Sequence, residues 1–198
     1  MAVKQKRTSF TPIVQFRANE TDTGAKVLEG YFIRFDEETN LFEDYFETVA
    51  PEAIADDIQE QDIRALFDHD SAKVLGRTTA GTLTLRKDEQ GLFGSISINE
   101  NDPEALSIYA KVQRGDISSA SFGFWIRGDD MTQDETGYHD RLTDVELIEI
   151  SVVAFPAYPT TEIGARSNDI ESFKQQKLAQ RKTQLKKELQ TKWKIQLS

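Results

Sequence analysis

The chain has 198 residues, no cysteine, two histidines and a net charge of −10. The length suits one domain with an appended segment. Without thiols there are no disulfides, thiolate zinc sites, iron–sulfur clusters or cysteine nucleophile, and His69 and His139 are too few for a histidine-rich metal site. No run of about 18 apolar residues is present to span a membrane. The opening Met-Ala-Val-Lys-Gln-Lys-Arg is basic but lacks the apolar stretch of a signal peptide. The acidic balance argues against general nucleic-acid binding.

Charge divides the chain. Residues 1–165 carry 15 basic and 31 acidic side chains, and residues 166–198 carry 9 basic and 3 acidic, so a body of net −16 is followed by an extension of +6. Gly and Pro disappear beyond Arg166, where Gln and Lys dominate. The expected organisation is a partly disordered N-terminal segment over 1–26, a folded body over 27–165 and a basic amphipathic helical tail over 166–198.

In chain order, residues 1–20 give little signal. Val27 to Phe35 reads as a strand with Tyr31, Ile33 and Phe35 on one face. Pro51 opens a short helix to Gln59, with acids in its first turn. Ile63 to His69 reads as a strand with Ile63, Ala65, Phe67 and His69 sharing a face. Thr82–Leu85 and Leu92–Ile98 flank a polar turn and form a hairpin. Asp102-Pro103 starts a second helix, with Asp as N-cap and Pro at its first position, which stops before Gly115-Asp116. Ile117 to Ile126 is a buried strand, 127–140 a loop or weak hairpin, and Leu142 to Phe155 the most apolar strand, ended by Pro156 and Pro159. Many short strands, several apolar on both faces, predict a mainly β, α+β fold: a closed, mostly antiparallel barrel with flanking helices.

Three polar residues stand out among apolar strand residues. His69 lies between Asp68 and Asp70, Ser121 lies within Ser118-Ser-Ala-Ser-Phe-Gly-Phe124, and Glu149 sits mid-strand where both faces are apolar. A buried carboxylate requires a hydrogen-bonding partner or a raised pKa, and no Lys or Arg near Glu149 in sequence supplies a partner. A serine nucleophile needs a base, and the base gains from an acid that orients it. His69, Ser121 and Glu149 offer one of each on three predicted strands. On the residues alone the plainer reading is a loop-capping histidine, a small residue in a tight strand and a structurally paired glutamate. Ser118 and Ser119 neighbour Ser121. Ser151 shares a strand face with Glu149, suited to packing or to a hydrogen bond within the site. The backbone N–H groups of Gly76, Arg77 and Gly123 are candidates for an oxyanion hole.

A series of ordered motifs resembles the phage prohead proteases of the HK97 type, the capsid maturation serine proteases of tailed phages. These are Glu29-Gly-Tyr31, Leu66-Phe-Asp-His-Asp70, Leu75-Gly-Arg77, Gly81-Thr-Leu83, Asp88, Gly91-Leu92, Gly115-Asp-Ile-Ser-Ser-Ala-Ser-Phe-Gly-Phe124 and Leu147-Ile-Glu-Ile-Ser-Val-Val-Ala-Phe-Pro-Ala-Tyr-Pro159. Together they cover roughly residues 27 to 165. Ala120 departs from the pattern, since many relatives carry Met before the nucleophile.

The resemblance implies a serine endopeptidase with His69 as base, Ser121 as nucleophile and Glu149 as third member. The related herpesvirus assemblins use a second histidine there, and His139 is the alternative on that ground. It also implies a barrel like that of the assemblins and no metal or organic cofactor. The implied substrates are a major capsid protein or scaffold segment, cut during phage prohead maturation in the host cytoplasm inside the assembling procapsid. Family members act on themselves, so self-cleavage near the Arg166 junction is expected. The assemblins act as dimers, which leaves a homodimer open. The competing reading is a catalytically inactive capsid assembly or scaffolding protein that keeps the protease fold. In the tail, Leu185, Leu189, Trp193 and Leu197 recur every four residues, a narrow stripe for packing or for a scaffold-like segment.

Overall fold

Period-two alternation of apolar residues dictates strands along most of the body, and the computed structural model has eleven among its described residues (6–11, 17–21, 24–42, 44–155, 170–171, 173–183 and 186–187). They are β1 (Lys6–Thr11), β2 (Arg17–Glu20), β3 (Lys26–Arg34), β4 (Thr39–Phe42), β5 (Tyr45–Val49), β6 (Arg64–Phe67), β7 (Asp70–Arg77), β8 (Leu83–Asp88), β9 (Gly91–Ser97), β10 (Ser119–Gln133) and β11 (Tyr138–Val153), with helix α1 (Pro103–Arg114) between β9 and β10. Two compact units divide between Tyr158 and Pro159, and all these elements belong to the first. In the second, residues 173–183 are helical. The Leu185, Leu189, Trp193 and Leu197 stripe lies outside the described residues. No helix among the described residues is long and apolar enough to cross a membrane.

The fold is mainly β, as expected, but no closed barrel is found among the described residues. The strands form two open sheets. One runs β1-β10-β11-β5-β4, with β6 pairing β11 and β7; the other runs β2-β3-β9-β8. A lone parallel bridge, Phe35 to Val49, joins them. The apolar faces of both sheets share one core. Leu28, Phe32, Ile33, Leu83, Leu92 and Ile96 of the second sheet and Phe122, Phe124, Ile150 and Val152 of the first belong to a single cluster. Residues apolar on both faces are therefore covered by a facing sheet rather than by barrel closure.

β11 organises the first sheet. One edge pairs antiparallel with β10 along nearly its full length. The other edge is shared by two parallel partners, β5 at residues 138–142 and β6 at residues 149–152. The predicted loop at 127–140 is mostly strand. β10 continues to Gln133 and β11 begins at Tyr138, with register shifts around Gly128. The stretch holds few apolar residues, Met131 and Tyr138, because much of it faces solvent, while the cross-strand ladder supplies the regularity. Predicted Phe155 lies beyond β11 and is 80% exposed.

Two further differences are local. The segment Pro51–Gln59 makes two 3-10 turns, Pro51–Ala53 and Ile58–Glu60, instead of one helix. Ile54 between them is extended, and its carbonyl accepts a hydrogen bond from Lys87 Nζ (2.8 Å). No side chain caps either turn, and burial of Ala53, Ile54 and Ile58 sets the path instead. The strand predicted to reach His69 ends at Phe67, because Asp68 and His69 adopt left-handed φ values of 48° and 58°.

Helix α1 matches its sequence signals. Asp102 accepts hydrogen bonds from the Glu104 and Ala105 amides (2.9 and 3.3 Å), Pro103 occupies the first turn, and Gly115 ends the helix at φ 87°. Its buried face is Ala105, Ile108, Tyr109 and Val112. Replacing Asp102 with Ala removes the cap, with an expected loss of about 1 kcal/mol. Urea unfolding of the two proteins measures it directly.

Candidate active site

Phe67 pairs with Asp70 across a two-residue connection, and both central residues, Asp68 and His69, have positive φ. That is the requirement of the tight type I′ hairpin, which suits the right-handed twist of its strands. Neither residue is glycine, so the conformation is costly, on the order of 1 kcal/mol for each. The turn is tied to β11 at three points. The Asp68 amide donates to the Val152 carbonyl (3.0 Å), the Ala154 amide donates to Asp68 Oδ1 (2.9 Å) and the His69 amide donates to Ser151 Oγ (3.3 Å). The His69 ring is thereby fixed beside β10 and β11.

Ser121 and Glu149 come from those two strands. Ser121 stands opposite Ser151, and Gly123 opposite Glu149. His69 Nε2 lies 2.8 Å from Ser121 Oγ, and His69 Nδ1 lies 2.6 Å from Glu149 Oε1. Ser151 Oγ donates to Glu149 Oε2 at 2.6 Å. The carboxylate, 1% exposed, thus has both oxygens engaged. An ionised carboxylate only accepts, so Nδ1 carries the ring proton and Nε2 presents its lone pair toward the serine. All three predicted residues meet, although 80 positions separate His69 from Glu149.

Gly123, a candidate oxyanion-hole donor, also has a structural role. It sits in the middle of β10, paired with both Thr8 and Glu149. A Cβ there would overlap the Glu149 carboxylate, lying 3.0 Å from Cδ and 3.2 Å from Cγ. The absent side chain lets Glu149 lie flat across the strand toward His69. Gly76 and Arg77, the other oxyanion candidates, make structural contacts of their own. A Cβ at Gly76 would press on the Thr82 carbonyl at 2.8 Å. The Arg77 amide donates to Thr82 Oγ1 (2.9 Å), and its guanidinium grips Asp62 through two hydrogen bonds (2.6 and 2.7 Å).

His139, the alternative third member, is elsewhere. It lies ten residues along β11 from Glu149, about 30 Å at the rise of an extended strand. Its ring stacks on Phe46 and bonds Glu38 (2.6 Å), Thr136 (2.9 Å) and Asp134 (3.2 Å). The Glu38 hydrogen bond is the main cause of its raised pKa. Its role in the turn of the long hairpin is structural.

Two features went unread in the sequence. Ser9 on β1 places its carbonyl oxygen 2.6 Å from Ser121 Oγ, as hydrogen-bond acceptor. Beside it is a buried polar cluster: the Ser9 hydroxyl donates to Glu47, Tyr45 donates to Asp140 (2.5 Å), and Arg7 lies 3.8 Å from Asp140. Nothing in the N-terminal sequence distinguishes such a segment from a polar tail. The ladder that places it is long-range.

A hydroxyl, an imidazole and a carboxylate joined in that order form the relay used by hydrolases with a serine nucleophile. Comparison with known proteins narrows the class. Residues 13–176 match the family of caudovirus prohead serine proteases, and the chain belongs to that family. Among solved structures, the capsid assembly protease of bacteriophage T4 is 13% identical, with a TM-score of 0.48, covering 76% of this chain and 98% of that one. No curated protein matches. Among the described residues, no group of three or more His, Asp or Glu side chains is placed to hold a metal ion.

Two outcomes follow from this geometry. Gly123→Ala should displace the Glu149 carboxylate and slow covalent labelling of Ser121 by a fluorophosphonate about 100-fold, the scale of an ångström-sized misplacement. Circular dichroism should show the fold retained. Asp140, with its carboxyl pushed up to about 7 from 3.8 by burial and then by the charge of Glu47, sets a pH dependence. Its contribution to stability is complete below pH 3.8 and is lost as pH rises through about 7. Urea unfolding of Asp140→Asn should therefore show a smaller loss of stability between pH 4 and pH 7.5 than the parent protein.

Proposed function

We propose that this chain is the endopeptidase that cuts capsid or scaffold proteins during maturation of a phage prohead, acting inside the assembling shell. The observation that carries the reading is the His69 imidazole held between Ser121 Oγ and Glu149 Oε1, at 2.8 and 2.6 Å, in a chain of this family.

In the proposed reaction His69 Nε2 takes the Ser121 proton as Oγ attacks a peptide carbonyl. Glu149, itself held by Ser151, keeps the ring in the required tautomer and stabilises the imidazolium. The imidazolium protonates the leaving amine, which departs and leaves an acyl-enzyme ester. Water, deprotonated by His69, hydrolyses that ester and frees Ser121. No metal or organic cofactor enters any step.

The chain's own tail is a second proposed substrate. Composition changes at Arg166, and the compact units divide between Tyr158 and Pro159, which makes this junction the proposed cleavage region. A homodimer is proposed from the resemblance to the assemblins alone.

Co-expression with the phage's major capsid protein tests the main reading. The parent protein should shorten the capsid protein on a gel, and Ser121→Ala should fold and leave it intact. Full cleavage by Ser121→Ala would sink the assignment. Shortening of the enzyme itself, seen by mass spectrometry only in the active form, would establish self-processing.

A further inference from the structure

Ser121 is the proposed nucleophile, yet it is 3% exposed. The element beside it is β1, which among the described residues pairs with β10 alone and stands at the edge of the sheet. Its six residues run antiparallel to the nucleophile's strand, from Lys6 opposite Trp125 to Thr11 opposite Ala120. An extended peptide added to a sheet edge is a common way for a protein to hold a peptide ligand. β1 has that form, and the Ser9 carbonyl oxygen lies 2.6 Å from the hydroxyl that would attack a substrate carbonyl.

This contact bears on the chemistry. A serine hydroxyl has one proton to donate. Two acceptors lie in reach, the Ser9 carbonyl at 2.6 Å and His69 Nε2 at 2.8 Å. A proton given to Ser9 is not available to the base, so β1 both fills the space of a substrate strand and diverts the hydroxyl. Its side chains are anchored too. Arg7 is 7% and Ser9 6% exposed; Arg7 lies near Asp140, and Ser9 donates to Glu47.

We infer that β1 is a built-in pseudosubstrate strap: it occupies the substrate-binding edge of β10, and a substrate segment replaces it in the same antiparallel register. The inference rests on the protease reading above. It also defines the ligand. The segment is extended, with a small residue whose carbonyl meets Ser121 and a basic side chain two positions earlier, received by Asp140, which Arg7 approaches to 3.8 Å.

The test uses the full chain and a fluorophosphonate probe, which reports on Ser121 without any protein substrate. Arg7→Glu replaces the cation beside Asp140 with a second carboxylate and should release the strap, so labelling should speed up by about tenfold or more as the competent state is populated. A free Lys-Arg-Thr-Ser-Phe-Thr peptide should slow that variant again, and the same peptide with Glu for Arg should not. If Arg7→Glu does not fold, the parent protein decides: labelling Ser121 should expel β1 and accelerate amide exchange at residues 6–11, with β11 unchanged. Equal labelling rates, or unchanged exchange at residues 6–11 after labelling, would overturn the strap while leaving the serine nucleophile standing. No labelling of either chain would overturn the nucleophile and the strap together.

Discussion

A carboxylate buried in the middle of a β-strand is the constraint on which the site depends. Glu149 is 1% exposed between apolar neighbours, and a buried carboxylate left without hydrogen-bond partners is costly. The chain meets this demand with two donors from different places. Ser151 donates from the same strand, two residues on, and His69 from the turn after β6. The same pairing that relieves the carboxylate orients the imidazole toward Ser121. Structural necessity and proposed chemistry therefore act on the same atoms, and local changes such as a methyl at Gly123 affect both.

The split edge of β11 makes that pairing achievable. β5 and β6 pair with different stretches of the same strand edge, so β6 can end beside Val152 and deliver its turn directly to Ser151 and Glu149. A continuous partner along β11 would leave no space for a turn there. Asp68 and His69 accept left-handed backbone to make the turn short, and the hydrogen bonds from Asp68 to Val152 and from Ala154 to Asp68 hold it in place. Strain at a single histidine is tolerable when the surrounding ladder over-determines its position.

Much of this was legible in the sequence, at two levels. Alternation and capping signals marked β3, β8, β9, α1 and the apolar halves of β10 and β11, because each depends on neighbours in sequence. The resemblance singled out His69, Ser121 and Glu149. What escaped depends on register between distant strands. β1 and β5 are short and carry polar residues that become buried only through pairing, as Ser9 and Glu47 do. The outer halves of β10 and β11 have polar faces that read as loop. Barrel closure was inferred from strands apolar on both faces, a property that two facing sheets satisfy equally well. His69 was placed on a strand because Ile63, Ala65 and Phe67 alternate. The Asp-His pair between Phe67 and Asp70 was the available signal for a two-residue turn, since Asp and His tolerate positive φ better than most residues.

The position of β1 in the sheet gives the strand beside the proposed nucleophile a distinctive energetic standing. Interior strands such as β11 are held on both edges and by the core, so they move only with global unfolding. Among the described residues β1 is held on one edge, by at most a six-residue ladder, and its described side chains are held by a polar anchor. Releasing it breaks no ladder of the second sheet and leaves the cluster of Phe122, Phe124, Ile150 and Val152 in place. The exposed β10 edge would then carry unpaired amides and carbonyls, which an incoming strand satisfies and water satisfies less selectively. Closure over the serine and openness to an extended peptide are in this sense two occupancies of one edge, and the relay of Ser151, Glu149 and His69 behind it need not change between them.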